Sequence, residues 1–188
     1  MPSRAIRLFF SLIASVLICT VAGAQAVGIH NSGKGFGLAF QEYDKDGTAF
    51  SSFILYADIY GLPLGKTDSP GIKGNFSRNH FLGNIKIDRA KLNFYAGPGF
   101  TAGYGQDGER SVISHEHLVN NPGVVCALSG TAGCLFTFDR HIVLDLFLQA
   151  EVGFHIRRDE FLEQSDLTFY SNGLTRAWIP HLLILYKF

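Results

Sequence analysis

Segment 141–157 carries Asp145, Glu151, His155 and Arg157, each an even number of residues from the next. Residues two apart share one face of an extended strand, so these four line one side together with Val143, Phe147, Gln149 and Gly153. Carboxylates beside a histidine can tune each other's proton affinity, which is the basis of acid–base catalysis. The same set also suits a narrow interior in which charges are paired off, because an unpaired buried charge is too costly. Asp58, Lys86 and His181, with Gln41, Tyr56, His80 and Asn84, are assigned to the equivalent face of other extended segments. The expectation is therefore a polar interior network of Asp58, Lys86, Asp145, Glu151, His155, Arg157 and His181, with no catalytic residue among them.

Two further groups could do chemistry. His115-Glu116-His117 presents alternate imidazoles, and histidine is a common metal ligand. A metal site needs a third or fourth ligand and groups that orient them, and the neighbouring sequence supplies none, so no metal or cofactor is expected. Tyr170-Ser171-Asn172-Gly173 faintly resembles the His-x-Ser-Asn stretch of lipid A deacylases of the PagL type. A serine nucleophile needs a histidine base and an orienting acid. Phe169 stands where that histidine would be, and no acid follows Ser171; His181 or His155 would have to serve from another geometry. Lipid A modification is thus the enzymatic alternative to a non-enzymatic reading, and Ser-Asn-Gly is also an ordinary loop tip.

These residues are positioned by segments of period-two patterning. The strands are expected near 26–31, 35–43, 49–60, 76–88, 91–105, 124–138, 141–157 and 174–188. Tight polar connections, Asp44-Lys45-Asp46-Gly47, Asp88-Arg89-Ala90-Lys91 and Asp139-Arg140-His141, alternate with long connections at 61–75, 106–123 and 158–172. An even strand count puts both ends of the folded unit and all three tight turns on one side. In segment 141–157, Ile142, Leu144, Leu146, Leu148, Ala150, Val152, Phe154 and Ile156 oppose the polar face. In 91–105, Leu92, Phe94, Ala96, Pro98, Phe100, Ala102 and Tyr104 oppose Asn93, Tyr95, Gly97, Gly99, Thr101 and Gly103. Alternation does not say which face points inward, but volume does. An eight-stranded barrel has room inside only for side chains, and the Gly/Asn/Thr face fits that space. The apolar face then points outward, toward lipid, where a closed barrel satisfies every backbone group internally. Pro98 and Pro180 fall inside strands and donate no ladder hydrogen bond, so each is expected to mark a bulge.

The flanks agree. Arg4 and Arg7, an apolar run at 8–21 of about 14 residues and Ala22-Gly23-Ala24 form a cleavable secretory leader over residues 1–24, too short for a spanning helix. Leu17-Ile18 before Cys19 are too bulky for lipoprotein processing. Residues 25–188 then form one domain. The 188-residue chain has 16 basic and 16 acidic side chains, which gives no basis for nucleic-acid binding. Cys126 and Cys134, eight residues apart, would be roughly 27 Å apart on one extended strand and are expected as free, outward thiols. Aromatic residues are expected in two rings, with Phe40, Phe94, Phe138, Tyr186 and Phe188 at the tight-turn ends and Phe36, Phe100, Tyr104, Phe154 and Trp178 at the others.

With Phe94-Tyr95-Ala96-Gly97-Pro98-Gly99-Phe100, Leu128-Ser129-Gly130-Thr131-Ala132-Gly133 and the terminal Leu185-Tyr186-Lys187-Phe188, the chain resembles small eight-stranded outer-membrane barrels of the OmpX/OmpW/OmpA-transmembrane type. It resembles especially the Bacteroidetes proteins described as outer membrane beta-barrel proteins. The resemblance covers residues 25–188 and implies an assembly signal, Trp178, Tyr186 and Phe188, read by the barrel-assembly machinery. It implies no shared active site. The expectation is an all-β, antiparallel up-and-down eight-stranded transmembrane barrel, preceded by a cleavable signal peptide. It is expected in the outer membrane as a monomer, among outer-membrane lipids and lipopolysaccharide, with loops that make surface contacts. A narrow, low-conductance pore is the remaining alternative.

Overall fold

Period-two patterning, rich in β-branched and aromatic side chains, becomes strand wherever the chain is described. The computed structural model describes residues 25–33, 35–57, 59, 71–87, 90–105, 123–138, 141–158, 165–172 and 180–188. It contains β1 (Ala26–Ser32), β2 (Gly35–Tyr43), β3 (Ala49–Ala57), β4 (Ile72–Ile87), β5 (Ala90–Gly105), β6 (Gly123–Phe138), β7 (Ile142–Arg158), β8 (Ser165–Asn172) and β9 (Pro180–Lys187). The expected leader 1–24, Asp58, His115-Glu116-His117 and Trp178 lie outside the described residues.

Each strand from β1 to β7 pairs antiparallel with the next. β7 then takes two partners in turn, β9 along residues 142–148 and β8 along residues 151–158. β9 pairs with β1, from Ala26↔Lys187 to Ser32↔His181, and the sheet closes. β8 and β9 share one stave of the wall, so the architecture is a closed, up-and-down barrel of eight antiparallel strands. Passing once around the cross-strand pairs returns to a position displaced by about ten residues, the stagger that tilts strands in a closed barrel.

Three expectations need correction. β4 begins at Ile72 rather than at 76, which moves residues 72–75 from loop to wall. Residues 165–172, expected as loop, are strand β8, with Leu167 opposite Ile156 and Phe169 opposite Phe154. The last strand, expected from 174, is described from Pro180 onward, and 174–179 lie outside the described residues; Pro180 is the first residue of β9, a position where a missing N–H is tolerated. The described pairing on β7 passes from β9, ending at Leu148↔Pro180, to β8, beginning at Glu151↔Asn172. Pro98 pairs in register with Gly130, and on its other side Ser77↔Gly99 and His80↔Ala96 keep a common offset, so no bulge forms there. The bulge lies on β4 between Phe81 and Gly83, and Leu82 is the extra residue. One inserted residue exchanges inward and outward faces beyond it.

The faces sort as volume requires. On β7, Val143, Asp145, Phe147, Gln149, Glu151, His155 and Arg157 are buried inside, while Ile142, Leu146, Leu148, Val152, Phe154 and Ile156 are exposed on the outer wall. On β5, Asn93, Tyr95 and Thr101 are buried and Phe94, Phe100 and Tyr104 exposed. The interior is not uniformly polar, however. Toward the tight-turn end it is filled by Phe50, Ile54, Tyr56, Tyr95, Leu135, Val143, Phe147, Leu183 and Leu185. Phe50 meets Tyr95 edge-on, with ring centroids 4.9 Å apart, a favoured aromatic geometry. Cys126 and Cys134 are both free.

Backbone constraints show at two glycines. Gly47 in the β2–β3 turn has φ 66°, and its N–H donates to the Asp44 carbonyl at 3.0 Å. Asp46 in the same turn accepts from the Thr48 N–H at 3.2 Å and the Thr48 hydroxyl at 2.9 Å. These bonds hold its carboxyl below the ordinary value of 3.8. A folded value lowered in this way gives a turn contribution that is complete above the unfolded value and lost as pH falls through the folded one. The carboxyl resonance of Asp46 should therefore titrate below that of an unstructured aspartate, and in Thr48→Ala it should move back toward it. Gly28 faces inward on β1, where an added Cβ would strike the Ile184 carbonyl and the Leu185 backbone across the seam. Gly28→Val should abolish the heat-modifiable gel band of the folded barrel, whereas Gly130→Ala, where an added Cβ meets nothing within 4 Å, should retain it.

Candidate functional site

The candidate site is the polar interior, which is divided into separate clusters. Nearest the tight turns, Asp145 is 1% exposed. It accepts from the Tyr95 hydroxyl at 2.6 Å and from Gln41 Nε2 at 2.7 Å. The Tyr43 hydroxyl in turn donates to Gln41 Oε1 at 2.6 Å, and Lys187 Nζ lies 4.3 Å from the centre of the Tyr43 ring. β2 and β5 thus direct neutral donors at one carboxyl carried by β7. Among the described residues no cation joins them, so the group is held by hydrogen bonds rather than by an ion pair.

A second cluster spans the seam. His30 on β1 and His181 on β9 approach with Nε2 and Nδ1 2.9 Å apart, one imidazole donating and the other accepting. His181 stacks on Phe147 with centroids 4.8 Å apart, and His30 lies 5.2 Å from Tyr56. Two imidazoles do not make a metal centre, and among the described residues no group of three or more His, Cys, Asp or Glu converges.

The third cluster fills the half toward the long connections. Glu151 Oε1 accepts from the Thr101 hydroxyl and from Gln149 Nε2, each at 2.6 Å. Asn75 Nδ2 donates to Thr101 Oγ1 at 2.8 Å and to Ser129 Oγ at 3.0 Å. Below them the Thr131 hydroxyl donates to Asn79 Oδ1 at 2.6 Å, and Asn79 Nδ2 donates to Ser77 Oγ at 2.9 Å. Above them Arg157 donates from Nη2 to His155 Nδ1 at 3.0 Å. These short contacts cross β4, β5, β6 and β7, so they brace opposing parts of the wall as well as satisfying buried polar atoms.

Of the seven residues expected inside, Asp145, Glu151, His155, Arg157 and His181 lie in the interior, distributed over all three clusters. Lys86 is exposed. It lies past the bulge, on a part of β4 that continues toward the tight turn after pairing with β3 ends at Ala49↔His80. His80 lies before the bulge, where the odd-numbered positions face inward, so it points outward; Asn84, past the bulge like Lys86, is exposed. Lys73, Asn75, Ser77 and Asn79 occupy the interior positions of β4 instead, all buried. Their alternate spacing in Ile72-Lys73-Gly74-Asn75-Phe76-Ser77-Arg78-Asn79 was the available signal.

Outside the barrel, Tyr186 stacks with His141 at 5.6 Å and meets Phe188 edge-on at 5.6 Å. An open crevice of about 630 Å³ lies where β1 ends and β9 begins, lined by Asn31, Ser32, Gly33, Leu146, Pro180 and Leu182. Ser171 pairs through its backbone with Val152.

Together, fold and interior define the class: a closed eight-stranded antiparallel barrel with a filled centre and an apolar exterior, consistent with a small outer-membrane-type barrel. No protein-family model, curated protein or solved structure matches the chain.

The clusters make a stability prediction. Asp145→Leu removes the acceptor for both Tyr95 and Gln41, at about 1–3 kcal/mol for each donor left unpaired. Asp145→Asn keeps the volume and one acceptor oxygen. Urea unfolding of the detergent-solubilised barrel should give a clearly lower midpoint for the leucine variant than for the asparagine variant. Equal midpoints would reduce Asp145 to a space filler.

Proposed function

We propose that this chain is a non-enzymatic, monomeric barrel integral to the outer membrane, which crosses with its strands and makes surface contacts through its long connections. Outer-membrane lipids and lipopolysaccharide are then its solvent, and the barrel-assembly machinery is its folding partner, with Tyr186 and Phe188 at the end of β9 as part of the recognised signal.

One observation carries this reading: the barrel is inside-out relative to a water-soluble protein. Asn75, Asn79, Asp145, Glu151 and Arg157 are buried, while Leu38, Leu128, Phe154, Leu167, Phe169 and Ile184 are exposed. Water-soluble monomers rarely expose an apolar patch of more than a few hundred Å²; here the apolar surface encircles the wall. Its extent is sufficient. From Ile142 to Ile156 the outer face of β7 covers about 35 Å at a tilt near 40°, against the apolar band of about 25 Å found on outer-membrane barrels.

The filled centre favours a structural or binding role over conduction, since open aqueous channels belong to barrels of roughly 16 strands or more. Three measurements test the reading. The mature chain should float with phospholipid vesicles and require detergent for solubility; a monomeric, detergent-free solution of it would overturn the proposal. Purified barrel in planar bilayers should show no stable open events. Lipid A mass spectra of cells with and without the protein should be identical, and a shift of one acyl chain that is lost in Ser171→Ala would establish the enzymatic alternative instead.

A further inference from the structure

The outer wall is apolar at nearly every described outward position, and its charged exceptions gather in one place. Glu42 and Asp44 at the end of β2, Ser51 on β3, and Arg78 and His80 on β4 all lie on the outer face. Their inward neighbours Gln41, Ser52, Ser77 and Asn79 are buried in the interior, which fixes this orientation. Ser51 sits directly between Glu42 and Arg78 in the ladder. Arg78 forms an ion pair with Asp44 through Nη2, and its Nη1 donates to Ser51 Oγ at 3.0 Å. The side chains of Arg78 and Asp44 remain 39% and 31% exposed, Glu42 is exposed, and Lys45 is exposed in the adjoining turn.

An arginine on the lipid face of a barrel costs about 2–4 kcal/mol at the middle of the bilayer and about 0–1 near its edge. Such a group is therefore tolerated at the depth of lipid headgroups, where it has something to bind. A guanidinium carries five N–H donors in a fork matched to phosphate, and the two contacts above leave donors facing outward. The cluster also offers two carboxylates, which repel a purely anionic head but accept hydrogen bonds from a primary ammonium. Beside it the wall is shallow. Pro98, Gly130 and Ala150 lie in register on β5, β6 and β7, with His80, Ala96 and Ala132 below. This band lies between a ridge of Phe76, Phe100, Leu128 and Val152 and a lower row of Phe94, Cys134 and Leu146.

We propose that Arg78, Asp44 and Glu42 form a binding site on the outer wall for a zwitterionic glycerophospholipid. Arg78 takes the phosphate, the two carboxylates take a primary ammonium headgroup, and an acyl chain lies along the band of small side chains. The proposal rests on the membrane reading above and names the lipid class recognised by that surface.

Native mass spectrometry of the full mature chain tests it, with the protein released from detergent after incubation with equal amounts of phosphatidylethanolamine, phosphatidylcholine and phosphatidylglycerol of one acyl composition. The ethanolamine lipid should be retained at least several-fold over the other two. Choline carries no N–H to donate, and glycerol leaves the carboxylates facing a net anion. Glu42→Gln and Arg78→Gln should each reduce that retention about five-fold, as expected for loss of a charge-assisted contact, while Lys86→Gln should leave it unchanged. Glu42 is exposed, so its variant answers the question even where Arg78→Gln folds poorly. Equal retention of the three lipids, preference for the glycerol lipid, or wild-type retention in Glu42→Gln would overturn the site. Vesicle flotation of the same samples separates the two failures: a chain that floats without headgroup preference loses only the site, and one that never floats loses the membrane reading as well.

Discussion

Closure of the sheet is the constraint on which the rest depends. β1 and β9 join over seven pairs, from Ala26↔Lys187 to Ser32↔His181, and this contact turns a ribbon into a tube. An eight-stranded tube encloses little more than its own side chains, so every inward residue must either fill space or find a partner. Phe50, Leu135, Leu183 and Leu185 do the first, and Asp145, Asn75, Asn79 and Glu151 do the second. His30 and His181 secure the seam from inside, and Gly28 lets the two strands approach there. The exterior is left to whatever surrounds the molecule, and its described outward positions are mostly apolar.

Much of this was legible in the sequence because the two faces of each strand differ in kind. In 91–105 and 141–157 the contrast between Gly/Asn/Thr or charged positions and Leu/Phe/Ile positions is strong enough to set both register and orientation, and the tight turns at 44–47 and 139–141 fix the hairpins. What escaped were departures from strict alternation. A single extra residue, Leu82, reverses the parity of β4, so the even-numbered inward register of Asn84 and Lys86 does not extend back to His80, and Lys73, Asn75, Ser77 and Asn79 hold the inward positions before the bulge; Lys86 is exposed because it lies beyond the end of β3. No composition cue distinguishes Leu82 from its neighbours. Pro98 departs in the opposite sense: it pairs in register with Gly130 and needs no bulge. β8 was hidden because Ser165-Asp166-Leu167-Thr168-Phe169 reads as polar loop without knowledge that Ile156 and Phe154 stand opposite.

The interior clusters show how buried polar side chains find partners within the wall. Asp145 is surrounded by neutral donors and apolar rings, Glu151 by Thr101 and Gln149, and Arg157 by His155. These hydrogen bonds run between wall residues. On the outer wall, among the described residues, polarity is scarce. That scarcity is why the ion pair of Arg78 and Asp44, unremarkable on a soluble protein, carries information here.

The wall is also uneven. β1 has seven residues and β7 has seventeen, so at a tilt near 40° the first rises by only about 18 Å and the second by more than twice that. Hydrocarbon of ordinary depth is taller than the low side. On the membrane reading proposed above, the bilayer would either pinch locally beside the β1–β2 hairpin or let the molecule lean until its axis departs from the normal, at a cost of a fraction of a kcal/mol for each ångström of mismatch. Lipids around this barrel would therefore experience a shallow side and a deep side, and neighbouring membrane proteins of matching thickness would be drawn to one flank rather than the other.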